Sequence, residues 1–115
     1  MVRELLDLEA PFTAFKGLPI AQEWRIFAGQ DGHECMHPYW PEEALHGHVD
    51  DTSDWQTTWV SMFAQNPPAM LLVQASIIAE RIGHGSWSFD YAKGKNGMWY
   101  LTDMATAENS YHMKH

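Results

Sequence analysis

The chain predicts an α+β fold: a four-stranded, mainly antiparallel sheet made of two hairpins, with two helices between them on one face. Three observations predict it. Asp31-Gly32 and Asn96-Gly97 each sit between β-prone runs, and such pairs favour tight turns because both residues tolerate positive φ. Between them, Trp55, Trp59, Met62 and Phe63 recur at i, i+4, i+7 and i+8, the period of an amphipathic helix. Pro67-Pro68 then divides the helical region, since proline stops one helix and is tolerated in the first turn of the next. Hairpin, helices, hairpin assemble most simply as a sheet with helices layered on one side.

Residues 2–8 read as a short strand or a helical turn, and 11–19 as a connector. Residues 20–28 have strand character, with Trp24, Ile26 and Phe27 as good β formers. Residues 34–39 are the returning strand, and Pro38 must lie at its edge or end because it cannot donate to a ladder. Residues 41–51 form a loop rich in histidine and acid groups. Ser53-Asp54-Trp55-Gln56 matches a capping box, a hydroxyl at the N-cap and an amide side chain three residues on. Residues 70–82 are apolar around most of the circumference, relieved by Gln74, Glu80 and Arg81. That pattern predicts a helix buried on more than one side, ended by Gly83-His84-Gly85.

In the second hairpin, a loop of Asn96 and Gly97 sets Lys95 opposite Met98 and, counting back, Asp90 opposite Asp103. A four-residue loop centred on the same point gives the same pairing. Directly opposed side chains share a face, roughly 5 Å apart at Cβ. Two like charges there repel unless something positive sits between them. A divalent cation with oxygen ligands fits, and Mg²⁺ usually brings a substrate phosphate; the alternative is a pair of exposed carboxylates at a sheet edge. Alternation puts Trp87, Phe89, Tyr91, Tyr100 and Met104 on the helix-covered face. Ser86, Ser88, Asp90, Trp99, Leu101 and Asp103 share the other, which the chain leaves bare.

Bulk properties narrow the function. At 115 residues the chain is one domain, 1–115, large enough for a real core. Six tryptophans are too many for a disordered tail. A net charge of −8 argues against nonspecific nucleic-acid binding, which needs a basic footprint; it suits a metal site or a basic protein surface. Cys35 is the only cysteine, so no intrachain disulfide forms and a reducing, cytoplasmic setting is expected. Residues 1–10 are charged and lack the apolar core of a signal peptide. The longest apolar run, 69–73, is far short of a membrane span. His46-Gly47-His48, with Asp50, Asp51, His33 or His37, is a weak zinc pattern beside the default of solvated loop histidines, because structural zinc sites take four ligands. Cys35, in a predicted strand, reads as a buried inert thiol, and Trp55 and Trp59 as core anchors.

Asp90, the Asn96-Gly97 turn, Trp99-Tyr100-Leu101 and Asp103 resemble the last hairpin of ATP-grasp enzymes. Glu23-Trp24-Arg25-Ile26-Phe27 with Asp31-Gly32 resembles that family's E-x-R-x-F strand and turn, and alternation puts Glu23, Arg25 and Phe27 on one face. The likeness spans residues 20–110, follows the element order of the family's C-terminal lobe, and is nearest to the compact ATP-grasp proteins of phages and their hosts. It implies that Asp90 and Asp103 hold Mg²⁺ against the phosphates of ATP. It also implies that Arg25 and Leu101 belong to the nucleotide site, that Arg25 neutralises developing phosphate charge, and that Glu23 orients Arg25 or joins the metal shell. Asp103-Met104-Ala105 replaces the family's E-x-N, with Glu108, Asn109 or Ser110 as substitutes for the asparagine. The nucleotide lobe that would precede residue 20 and the adenine hinge are not recognisable.

Two functions follow as expectations. One is a lobe of an ATP-dependent carboxylate–amine ligase, inactive alone and completed by a partner that carries the nucleotide lobe. The other is a non-catalytic acidic interaction module, such as a phage-encoded inhibitor of a host complex. In that second case a protein partner or second copy would cover the open sheet face, since exposed apolar patches usually mark interfaces. Neither nucleic acid nor a membrane is expected as a partner.

Overall fold

A computed structural model describes residues 10–50 and 54–110. The expectations for residues 2–8, for Asp51, for Ser53 of the capping box and for the C-terminal histidines lie outside the described residues. The elements run β1 (Phe12–Ala14), β2 (Leu18–Ile20), β3 (Glu23–Gly29), β4 (Gly32–Pro38), α1 (Glu42–Leu45), α2 (Trp55–Met62), α3 (Ala69–Ile82), β5 (Ser86–Lys93) and β6 (Trp99–Thr106). A 3₁₀ turn, Ala107–Asn109, follows. The main sheet has the order β4-β3-β5-β6, antiparallel throughout. The α+β reading, hairpin then helices then hairpin, is therefore correct.

Helix α3 seats Leu71, Ala75 and Ala79 on Ile26 and Ala28 of β3 and on Phe89 and Tyr91 of β5. Small residues at 75 and 79 let the helix approach the sheet closely, and Leu72 and Ile78 wedge in at the sides. Gly83 ends the helix in the left-handed conformation, φ 81°, which glycine adopts without the Cβ penalty. Helix α2 reaches the same face by its end: Phe63 meets Trp24 edge-on at 5.3 Å, and Met62 O accepts from Gln22 Nε2 at 2.6 Å.

Residues 11–19 are not a plain connector. They form the β1–β2 hairpin, Phe12 opposite Ile20, whose tip places Phe15, Lys16 and Gly17 at positive φ. Only one of the three is glycine, so the turn leaves little signal in composition. The carboxylate of Asp50 holds it, accepting from the N–H of Lys16 and Gly17 and from the Thr13 hydroxyl. These bonds, Gly17 first, keep Asp50 below the usual carboxylate pKa. This small sheet carries a second cluster of Ala14, Ile20 and Leu45, against which Trp55 and Trp59 of α2 pack, as core anchors.

That packing explains one correction. Helix α3 is buried on a single side, because α2 turns to the small hairpin and leaves the outer face of α3 open. Met70, Val73 and Ile77 are 74%, 57% and 47% exposed.

The second hairpin also differs from its expected form. Gly94 N–H donates to Met98 O at 2.8 Å, so the loop is Lys95, Asn96 and Gly97, with Gly97 at φ 82°. This three-residue tip offsets the pairing by one residue, and Lys93 faces Trp99. A bulge then restores it: Tyr91 pairs with Leu101 and Asp90 with Asp103, leaving Thr102 as the extra residue. The Thr102 hydroxyl donates to Asp90 O at 3.1 Å. Between tip and bulge the faces are inverted relative to the alternation expected from the loop. Trp99 packs on the main core under the helices, Leu101 shares that side, and Tyr100 takes the other.

Candidate functional site

Strand alternation brings Glu23, Arg25 and Phe27 to the face away from α3. Register sets Arg25 between His37 on one side and Asp90 on the other, with Asp103 beyond. His37, Arg25, Asp90 and Asp103 thus form a row across all four strands. Arg25, Asp90 and Asp103 stand side by side in that row, and Glu23 lies on the same face two residues along β3, opposite Ala92. The bulge puts Leu101 on the opposite face, away from them. His37 completes the row through the β3–β4 pairing, a position that only the register of the first hairpin reveals.

Arg25 supplies a positive charge beside Asp90, on the side away from Asp103. Its Nε donates to Asp90 Oδ1 at 2.8 Å and Nη2 to Oδ2 at 3.1 Å, a bidentate, charge-assisted pair. The two side chains are 13% and 3% exposed. Tyr39 lies over the guanidinium, 4.8 Å from its ring centroid, placed there by a backbone bond from Tyr39 N–H to Glu23 O. Burial alone would depress the Arg25 pKa. The hydrogen bonds and charge of Asp90, joined by Tyr39 and Asp103, hold it above its ordinary value instead. Asp103 is exposed, and its Oδ1 accepts from Met104 N–H.

This face is not bare, as the sequence implied. Glu23, Phe27, His37, Ser88, Asp90 and Ala92 are all buried. Tyr39 covers Arg25, and the turn after β6 brings Ser110 Oγ to 2.6 Å from Ser88 Oγ. His37 sits with Nδ1 2.8 Å from Pro38 O and its ring against Phe27.

The donors suit Mg²⁺ poorly as they are disposed. Both oxygens of Asp90 are engaged by Arg25, and Mg²⁺ needs a near-octahedral oxygen shell. Among the described residues no group of three or more His, Cys, Asp or Glu side chains is placed to hold a metal ion. His46 pairs with Glu42 at 3.6 Å and His48 stacks on Phe15, so these two loop histidines do not converge. At the centre of the row Arg25 and Asp90 form a largely buried, mutually neutralising pair, with Asp103 exposed at its end.

The exposed surface offers a different candidate. Met70, Val73 and Ile77 lie at i, i+3 and i+7 and form one stripe along the outside of α3. A groove of about 600 Å³ opens near the start of that helix, lined in part by Gln22, Gln65, Asn66, Lys93 and Trp99. Among the described residues no helix is long and apolar enough to cross a membrane. Compared with protein-family models, with curated proteins and with solved structures, the chain matches none.

Proposed function

We propose that this chain is a non-catalytic interaction module that docks on protein through the outer face of α3. The carrying observation is the exposed stripe of Met70, Val73 and Ile77. Scattered apolar residues on a surface need no explanation, but a continuous row of large ones marks an interface. Anchors at i, i+3 and i+7 are the spacing by which one helix engages another. The opposite side of α3 is locked by Leu71, Ala75 and Ala79, so the stripe is preorganised and little ordering entropy is lost on binding. The net charge of −8 keeps such a surface soluble and disfavours nucleic acid. In this reading the Arg25–Asp90 pair is architectural. Affinity capture from cells that also express an untagged copy of the chain, with the wild type and Val73→Asp/Ile77→Asp as parallel baits, tests it. A protein held by the first and lost by the second supports the reading, and identical capture by both overturns it.

The alignment of Arg25, Asp90 and Asp103 across three strands favours a second reading, the ATP-grasp-like lobe. Calorimetric titration with Mg²⁺, then Mg²⁺ with ATP, tests it against Asp90→Asn/Asp103→Asn. Heat lost in the variant supports a nucleotide half-site, and no heat with either ligand ends that reading.

A further inference from the structure

We infer that the occupant of the outer face of α3 is a second copy of this chain, the two helices packed antiparallel about a two-fold axis. The inference rests on the docking reading and names its partner. Charge decides between the occupants. A basic amphipathic helix would require acids flanking the apolar stripe. Yet Glu80 and Arg81 are the only charged residues of α3, opposite in sign and adjacent at one end. The face is therefore neutral on a chain of net charge −8, and two copies can meet there without bringing their excess acid together. Steps of three and four residues between Met70, Val73 and Ile77 are those of a helix–helix seam. An antiparallel partner sets Met70 of one copy beside Ile77 of the other, with both Val73 side chains near the axis. The same register brings each Glu80 to the start of the other α3, where unpaired N–H groups favour an acid. One patch thus satisfies itself, as a two-fold interface requires. Three side chains make a small interface, so the dimer is expected to be weak, on the order of micromolar.

Sedimentation velocity over a concentration series reads this directly. The wild type is expected to shift from monomer to dimer with concentration, and Val73→Asp/Ile77→Asp to stay monomeric with unchanged circular dichroism. Met70→Gln/Ile77→Gln, which keeps good helix formers, serves if the aspartates weaken the helix. A photo-crosslinker at position 73 is expected to yield a self-adduct. A dimer that survives both variants overturns the inference, and so does a monomer at every concentration. In the monomer case the same probe, activated in cells expressing the chain, separates the two ideas. An adduct with a different protein overturns the second copy and leaves docking standing, whereas no adduct ends both.

Discussion

Arg25 and Asp90 hold each other in a place where neither would be tolerated alone. Removing one partner of a buried pair strands the other charge, at a cost of about 3–5 kcal/mol, whereas replacing both with apolar residues is often close to neutral. Urea unfolding should therefore show Asp90→Leu destabilised by roughly 3 kcal/mol, with much of the loss recovered in Arg25→Met/Asp90→Leu. Near-wild-type stability of the single variant would show that the pair carries no weight. Tyr91 gives a separate signature. Burial pushes its hydroxyl from 10.0 up to about 12, while the hydroxyl donates to Gln74 Oε1 at 2.7 Å. The folded state favours the neutral phenol, so the unfolded chain ionises first. Its contribution is whole below pH 10 and is lost as pH rises toward about 12. Denaturation midpoints taken across that window should fall in the wild type and fall less in Tyr91→Phe.

At the scale of the element, the β5–β6 hairpin contains two departures that cancel. The three-residue tip moves the register one way and Thr102 moves it back, so Asp90 meets Asp103 as it would in a two-residue hairpin without a bulge. If the bulge only compensates for the tip, deleting Thr102 joins the Tyr91–Leu101 and Asp90–Asp103 pairs into one continuous ladder. The expected loss is then the Thr102 hydroxyl bond, about 1 kcal/mol. Cross-strand NMR contacts between residues 90 and 103 should survive the deletion, and their disappearance would show that the bulge does more than restore register. Helix α3 illustrates the opposite case, two sides of one element under unlike constraints. Ala75 has no room in the core, so Ala75→Leu should cost about 1–3 kcal/mol by overpacking. Val73→Lys on the outer side should change stability by less than about 0.5 kcal/mol.

At the scale of the molecule, two apolar clusters among the described residues share the work unequally. The larger joins α3 to β3 and β5. The smaller joins the β1–β2 hairpin to α1 and α2, with Phe63 on Trp24 and the Gln22–Met62 bond among its links to the main sheet. Units with fewer buried apolar contacts open at lower free energy. Hydrogen exchange should accordingly be faster across Phe12–Ile20 and α2 than in β3 and β5. Uniform exchange across both would mean that the clusters fold as one cooperative unit. The open outer face of α3 follows from the same division, since α2 is committed to the smaller cluster.

The order of elements was written in local chemistry. Asp31-Gly32 and Asn96-Gly97 marked the two turns, though the loops are Gln30-Asp31 and Lys95 to Gly97. A helical period ran from Trp55, two prolines parted the helices and Gly83 stopped the second. A count from one turn also set Asp90 opposite Asp103, and it held because the three-residue tip and the Thr102 bulge cancel. Arg25 joins them through the β3–β5 pairing, which no count along a single hairpin reaches. Leu101 shows where the counting ends. A bulge inverts every face between itself and the turn, and Thr102 carries no mark of it until its hydroxyl has found Asp90 O. The β1–β2 tip was hidden because Phe15 and Lys16 take a backbone conformation their side chains do not announce. Burial was less legible still. Apolar residues around α3 declare a wish to be covered, but whether a neighbour arrives depends on where α2 goes, and α2 goes to the small hairpin. The sequence by itself therefore determined the two hairpins of the main sheet, the two longer helices between them and the meeting of Asp90 with Asp103. Tertiary packing alone decided that the row is buried around Arg25 and that the outside of α3 is open, because coverage is set by elements distant in the chain.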